Sequence, residues 1–148
     1  MAYYAVPSSE SALIQRSSAE DLSVTFYSGE TAGDADGAVT IGITDAEGST
    51  VVASGTATTS AGSGVYTYTL AAQTDLSELT ATWSGTFGSN AMEFTTQHEV
   101  IGGYYAAPSE IRAMDSISGE TSTFPTADIV KAIEWSMDVI DDYCGASF

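Results

Sequence analysis

The chain has little of what catalysis, metal binding and cross-linking require. Its single cysteine, Cys144, and single histidine, His98, cannot supply an intrachain disulfide or the ligands of an ordinary zinc site. Lysine and arginine total three (Arg16, Arg112 and Lys131) against twenty aspartates and glutamates, a formal charge of −17. Such a surface repels a phosphate backbone, so sequence-specific nucleic-acid binding is not expected. No apolar run approaches the roughly 20 residues that span a bilayer, and no membrane association is expected. The first residues have neither a basic stretch nor a continuous apolar core, so no secretory signal is expected either. A Gly-rich phosphate loop, a zinc-ligand spacing and a nucleophile elbow are all missing.

The polar residues that remain have structural readings. His98, between Gln97 and Glu99, reads as a solvent-facing strand residue with no partners for a triad. Cys144 reads as a small core residue on the apolar side of a helix. Asp34-Ala35-Asp36-Gly37 has two carboxylates of a calcium loop but lacks the third short-range ligand and the later bidentate glutamate. It reads as a turn, with Asp34 and Asp36 the one place for a weak cation site. No cofactor or metal is expected, and the chain reads as a non-enzyme. Its acidity has three explanations that composition does not separate: solubility, adaptation to high salt, or an acidic wall beside a DNA channel.

What is present changes texture at Gly102-Gly103. Upstream, residues 1–18 read as an amino-terminal arm and residues 19–101 as antiparallel sheet. Leu22, Val24 and Phe26 alternate with polar residues, as do Val39, Ile41 and Ile43. Asp45-Ala46-Glu47-Gly48 signals a hairpin before Val51-Val52, with Gly48 free to take a positive φ. Gly62-Ser63-Gly64 and Gly88-Ser89-Asn90 mark further turns. Tyr66, Tyr68 and Leu70, then Leu79, Ala81 and Trp83, then Met92 and Phe94 supply the remaining strands. Short strands separated by turns at this spacing predict an immunoglobulin-like β-sandwich without the cysteine pair of an antibody domain. Trp83 is its expected central aromatic.

Downstream, residues 104–148 have helical spacing. Pro108-Ser109-Glu110 reads as a helix start capped by Ser109, with Ile111, Met114 and Ile117 on one side and Gly119 at the close. A second helix is predicted from Thr126, its expected cap, to Gly145, with Asp128 in the first turn where the helix dipole favours an anion. At 100° per residue its apolar side chains cover about half the circumference. Ile111, Met114, Ile129, Ile133, Met137 and Ile140 are the expected helical core. Val130, Trp135, Val139 and Tyr143 are the expected contacts between subunits or modules. Trp135 falls among the charges, so it packs either on the β-domain of its own chain or on a neighbour. The predicted class is therefore α+β: an amino-terminal sandwich followed by a small helical domain.

Two patterns bear on ancestry. Tyr3-Tyr4-Ala5-Val6-Pro7-Ser8 returns as Tyr104-Tyr105-Ala106-Ala107-Pro108-Ser109. This is either coincidence or the trace of a β-domain inserted into, or copied beside, a helical unit; an inserted domain has its two ends close together. The second pattern is a resemblance. Tyr105-Ala-Ala-Pro-Ser-Glu-Ile-Arg112, the loop to Phe124-Pro125, Asp128-Ile-Val-Lys-Ala-Ile-Glu-Trp-Ser-Met137 and the ending Ile140–Phe148 resemble a head–tail connector, or adaptor, of a tailed virus. The resemblance covers roughly residues 104–148, while residues 20–101 are similar to immunoglobulin-like modules that viral structural proteins carry as insertions.

The resemblance implies a structural virion protein at the head–tail neck, assembled in the host cytoplasm. Its implied partners are copies of itself in a ring (usually a dodecamer), the portal protein above and a tail-side neck protein below, with DNA passing through the ring. The physical reading runs parallel: two helices of this size carry more apolar area than they can hide, and burial at about 25 cal/mol per Å² favours association. A ring would give each copy two neighbours through a heterologous contact. The alternative is a carbohydrate- or surface-binding β-module with a helical docking tail, which predicts exposed aromatics such as Tyr66, Tyr68 or Phe87.

Overall fold

Alternation of apolar and polar residues obliges each strand to bury one side, and two sheets satisfy this by facing each other across a shared core. The computed structural model of the chain describes residues 3–7, 12–114 and 123–145. Ten strands come first: β1 (Tyr3–Pro7), β2 (Leu13–Gln15), β3 (Glu20–Ser28), β4 (Thr31–Ala32), β5 (Thr40–Asp45), β6 (Thr50–Ala57), β7 (Thr59–Gly62), β8 (Val65–Leu70), β9 (Ser77–Phe87) and β10 (Asn90–Ile101). Helices α1 (Pro108–Arg112) and α2 (Thr126–Cys144) follow. One five-stranded sheet runs β1-β3-β8-β7 with β4 appended to β3, and the other runs β2-β10-β9-β5-β6. The fold is a β-rich α+β fold of two sheets and two small helices.

Register explains the core. Val24 lies opposite Tyr66 and Leu22 opposite Tyr68 in the first sheet. In the second, Ile41 faces Trp83 and Ile43 faces Ala81. Trp83, Phe26 and Phe87 are the largest fully enclosed side chains. Phe26 is the hub, with ring centroids 4.6 Å from Phe87, 5.2 Å from Phe94 and 5.6 Å from Tyr66. Each such ring contributes about 2 kcal/mol by burial, with a smaller gain from edge-to-face geometry. Trp83 is fully buried, as its place in the alternation predicts, but the aromatic contacts centre on Phe26.

The described residues of the expected arm, 3–7 and 12–18, belong instead to the sheets and their turns. β1 pairs with β3 along its length, and Tyr3 packs on Phe87 at 5.7 Å between centroids. β2 runs parallel to the end of β10, Leu13 opposite Glu99 and Gln15 opposite Ile101, so the second sheet is not purely antiparallel. Neither strand has a long alternating pattern: β1 closes on Pro7 at a sheet edge, and β2 is only three residues long. Arg16 N–H donates to Ile101 O at 2.8 Å, so the chain enters the two-sheet unit beside the point where it leaves. The repeated hexapeptide, by contrast, folds two ways. Tyr3–Pro7 is a strand, whereas residues 104–109 carry the chain from the sheet into α1.

Turn chemistry follows the residues. At the β5–β6 hairpin, Gly48 has φ +82° and Ser49 N–H donates to Asp45 Oδ1 at 2.7 Å. Gly64 tolerates no side chain, because a Cβ would lie 2.6 Å from Phe26 O and 2.8 Å from Gly33 O. The Asp34–Gly37 loop uses its carboxylates internally. Asp34 Oδ1 accepts from Gly64 N–H at 2.6 Å and Asp36 Oδ2 from Ser89 N–H at 2.7 Å, and Ala35 N–H donates to the Tyr66 hydroxyl at 2.9 Å. Among the described residues no group of three potential ligands could hold a metal ion.

His98 departs from expectation: it is buried, not solvent-facing. The period of two puts it on the same side as Thr96 and Val100, while its charged and polar neighbours Glu99 and Gln97 point away. Trp83 Nε1 donates to Thr96 Oγ1 at 3.1 Å, and that oxygen lies 2.7 Å from His98 Nε2. A polar chain thus crosses the core beside its largest ring, and among the described residues no buried side-chain polar atom lacks a partner. Thr96→Val keeps the shape but leaves the indole N–H without an acceptor. It is expected to cost about 1–3 kcal/mol in urea denaturation, whereas Thr96→Ser is expected to retain most of the stability.

Candidate interface on the last helix

The last helix is held to the sheets along one line only. Ile129 and Ile133 are each 5 % exposed and close on Leu76 from the loop before β9, with Tyr104, Ile111, Val130 and Met137 half-buried around them. Leu76 is the member that sequence reading missed, since a lone leucine between Asp75 and Ser77 has no periodic signal. Polar contacts fix the rest of the seam. Arg112 Nε is 3.0 Å from Glu78 Oε2 on β9, and Arg112 also donates to Thr126 Oγ1 at 2.7 Å. Thr126 Oγ1 in turn donates to the same Glu78 oxygen at 2.7 Å. One carboxylate therefore ties α1, α2 and the sheet together, and charge-assisted bonds of this kind are roughly twice as strong as neutral ones.

The helix ends differ in detail from the sequence expectation. Ala107, not Ser109, is the cap of α1. Its N–H donates to Glu110 Oε2 at 2.8 Å, while the Ser109 N–H and hydroxyl both donate to the Glu99 carboxylate, at 2.7 and 2.6 Å. The helix is five residues long. Ile117 and Gly119, expected on a longer helix, lie outside the described residues. Pro125 takes the cap position of α2, leaving Thr126 inside the first turn where its hydroxyl serves Glu78. Glu47 of the β5–β6 hairpin accepts from Ala127 N–H at 3.0 Å, which satisfies one free donor of the helix start with an anion. Gly145 ends the helix at φ +66°, as its position implies.

The expected helical core divides. Ile129 and Ile133 are buried, and Ile111 and Met137 are half-buried, but Met114 and Ile140 are 53 % and 42 % exposed. The sheets reach only the first half of α2, so among the described residues Ile140 borders a groove beside Tyr105 and Ile111 without being covered. Cys144, expected in the core, is exposed for the same reason. Of the four expected contact residues, Val130 turns instead toward the sheets and joins the Leu76 cluster. The other three face outward: Trp135 is 70 % exposed, Val139 49 % and Tyr143 92 %. Trp135 does not pack on its own β-domain.

These outward residues form a second apolar stripe. Trp135, Val139 and Tyr143 stand at i, i+4 and i+8, which places them along one side of the helix, while Ala132, one turn before Trp135, borders the groove that Ile129 and Ile133 line. Beside the stripe, Tyr105, Ile111, Ile129, Ile133, Met137 and Ile140 line an apolar groove of about 250 Å³ between α1 and α2. Tyr105 bridges its rim by donating its hydroxyl to Asp141. The surroundings are acidic: Asp128, Glu134, Asp138, Asp141 and Asp142 share α2 with one cation, Lys131, which lies 3.8 Å from Asp128. Arg16 stacks its guanidinium on the Tyr104 ring at 4.7 Å. Arg16 and Arg112 are thus both committed to the seam.

No family model and no curated protein matches the chain. Among solved structures it is similar to a DUF4785 family protein from Legionella pneumophila at 13 % identity, with a TM-score of 0.41 over 66 % of this chain. The chain spans 27 % of that protein's length. No helix among the described residues is long and apolar enough to cross a membrane.

Burial separates two kinds of apolar residue on one helix, and stability measurements on the isolated protein should separate them too. Ile133→Ala is expected to cost about 2–4 kcal/mol. Trp135→Ser and Tyr143→Ser are expected to change unfolding free energy by less than about 0.5 kcal/mol, because neither side chain loses water-free contacts. Arg112→Leu leaves Glu78 half-buried without its cation. It is expected to cost about 2 kcal/mol and to expose residues 102–107 to limited proteolysis while the sheet core stays intact.

Proposed function

We propose that this chain is a structural subunit of an assembly, a head–tail connector at the neck of a tailed virus, and not an enzyme. The observation that carries the reading is the outward stripe of α2, where a tryptophan and a tyrosine at 70 % and 92 % exposure lie on one side of a helix whose other side is already docked. Large exposed aromatics in line are what an interface retains and an isolated domain has no use for. The connector-like residues Tyr105–Arg112 and Asp128–Met137 lie in the seam and on α2, so the segment that carries the resemblance also carries the unpaired surface. In this reading the helices meet the rest of the neck and the two-sheet unit, an immunoglobulin-like sandwich, projects from the ring as decoration or as a brace. The ring is a closed set of copies, usually a dodecamer, beneath the portal and above a tail-side neck protein.

The carbohydrate-binding alternative needs an aromatic platform, and two of its three candidates are in the core: Tyr66 is 5 % exposed and Phe87 fully buried. Native mass spectrometry of the protein alone and mixed with the portal protein of the same virus tests the connector. A ring, or a monomer that joins the portal in fixed stoichiometry, is the expected result, and Trp135→Glu with Tyr143→Glu should abolish association with the portal. A protein that stays monomeric and ignores the portal would end the proposal.

A further inference from the structure

The outward stripe of α2 must be covered by something, and charge decides by what. Its apolar anchors are flanked by Asp128, Asp138 and Asp142 on the side of Trp135, while Asp141 stands at the rim of the adjoining groove. A second copy brings the same acids to any contact. Its cations answer them weakly: Arg16 lies on Tyr104, Arg112 is paired with Glu78, and the exposed Lys131, 3.8 Å from Asp128, is one cation among these acids. Face-to-face packing of two α2 helices would set Asp128, Asp138 and Asp142 of one copy against the same three of the other, with only two lysines between them. Packing of α2 on another region of a neighbouring copy meets a chain of net charge −17 that has no free cationic patch to offer.

We infer that this face docks a basic amphipathic segment of a different protein, with apolar side chains at helical spacing set among lysines or arginines. The inference takes from the proposed function only that another molecule covers α2, and it names that molecule's chemistry. The geometry suits a helix laid in a groove: Trp135, Val139 and Tyr143 contact the segment's apolar side, and Met137 and Ile140 accept a residue between α1 and α2. The flanking carboxylates attract the segment's cations, speed encounter and turn away acidic partners, copies of this chain included. Contacts between copies then fall to the sheets, where residues 48–74 carry no charge at all.

The protein carries its own reporter. It has two tryptophans, and Trp83 is fully buried, so a change in emission on binding comes from Trp135. The probes are a tryptophan-free peptide of the length of α2 with leucines at helical spacing and lysines elsewhere, its isomer with glutamate for every lysine, and oligolysine of equal charge. The measurement is made at the lowest salt at which circular dichroism shows native sheet. The lysine–leucine peptide is expected to shift Trp135 emission to the blue saturably, with affinity falling roughly tenfold between low and high salt. Val139→Asp, confirmed folded by circular dichroism, should weaken binding at least tenfold, roughly the cost of burying an unpaired charge at a contact.

Equal binding of oligolysine would reduce the effect to diffuse charge and overturn the inference. So would binding of the glutamate isomer, or no binding of any peptide. A blue shift that grows with protein concentration and tracks a dimer mass would assign the face to a second copy, and so overturn it as well. The two readings fail separately. Peptide binding without portal binding keeps this inference and removes the connector, whereas portal assembly with no peptide response does the reverse.

Discussion

A helix is a cylinder and a sheet edge is a surface, so a helix lying on a small β-unit can hide only part of its circumference. Everything distinctive about this chain follows from that limit. α2 spends one line of apolar residues, Ile129 and Ile133, on its own protein, where Leu76 closes over them. Val130 and Met137 are half-covered beside them, while Trp135, Val139 and Tyr143 point away from every described element of the same chain. Intrachain packing therefore leaves the helix half-finished, and the unfinished half has a regular spacing that suits a partner.

The second organising constraint is the scarcity of positive charge. In a chain with three cations, each one placed in the interior of the structure is withdrawn from the surface. Arg16 and Arg112 are placed at the junction between sheets and helices, one stacked on Tyr104 and the other bonded to Glu78 and Thr126. Like-charge repulsion across so acidic a protein favours separation of its parts. The arginines hold the junction against that repulsion, and their removal from the surface leaves the outer side of α2 almost purely anionic around its apolar stripe. The device that keeps the unit together is also what sets the sign of the face it presents.

The sheets illustrate how far alternation carries. β3, β5, β8 and β9 could be read directly, because each runs several residues with a clean period of two and is bounded on at least one side by glycine or an acidic turn. β1, β2, β4 and β7 could not, since they are short or built from small polar residues, and they exist only because a longer strand offers an unpaired edge. For His98 parity outweighs the polar neighbours Gln97 and Glu99: Thr96 and Val100, two away on either side, are the residues that share its environment.

On the helices the division is similar. Residue order alone settled that residues 126–144 form an amphipathic helix closed by Gly145 and that Trp83 belongs in a β-core. These depend on local periodicity and backbone freedom at glycine. Tertiary structure decided which half of the apolar circumference is used. It buried Ile129 and Ile133, drew in Val130, and left Met114, Ile140, Val139, Cys144 and Tyr143 outside. A wheel projection records direction around an axis but not where the supporting surface stops, and that boundary is set by Leu76, Glu78 and the β5–β6 hairpin, residues distant in sequence from the helix they support.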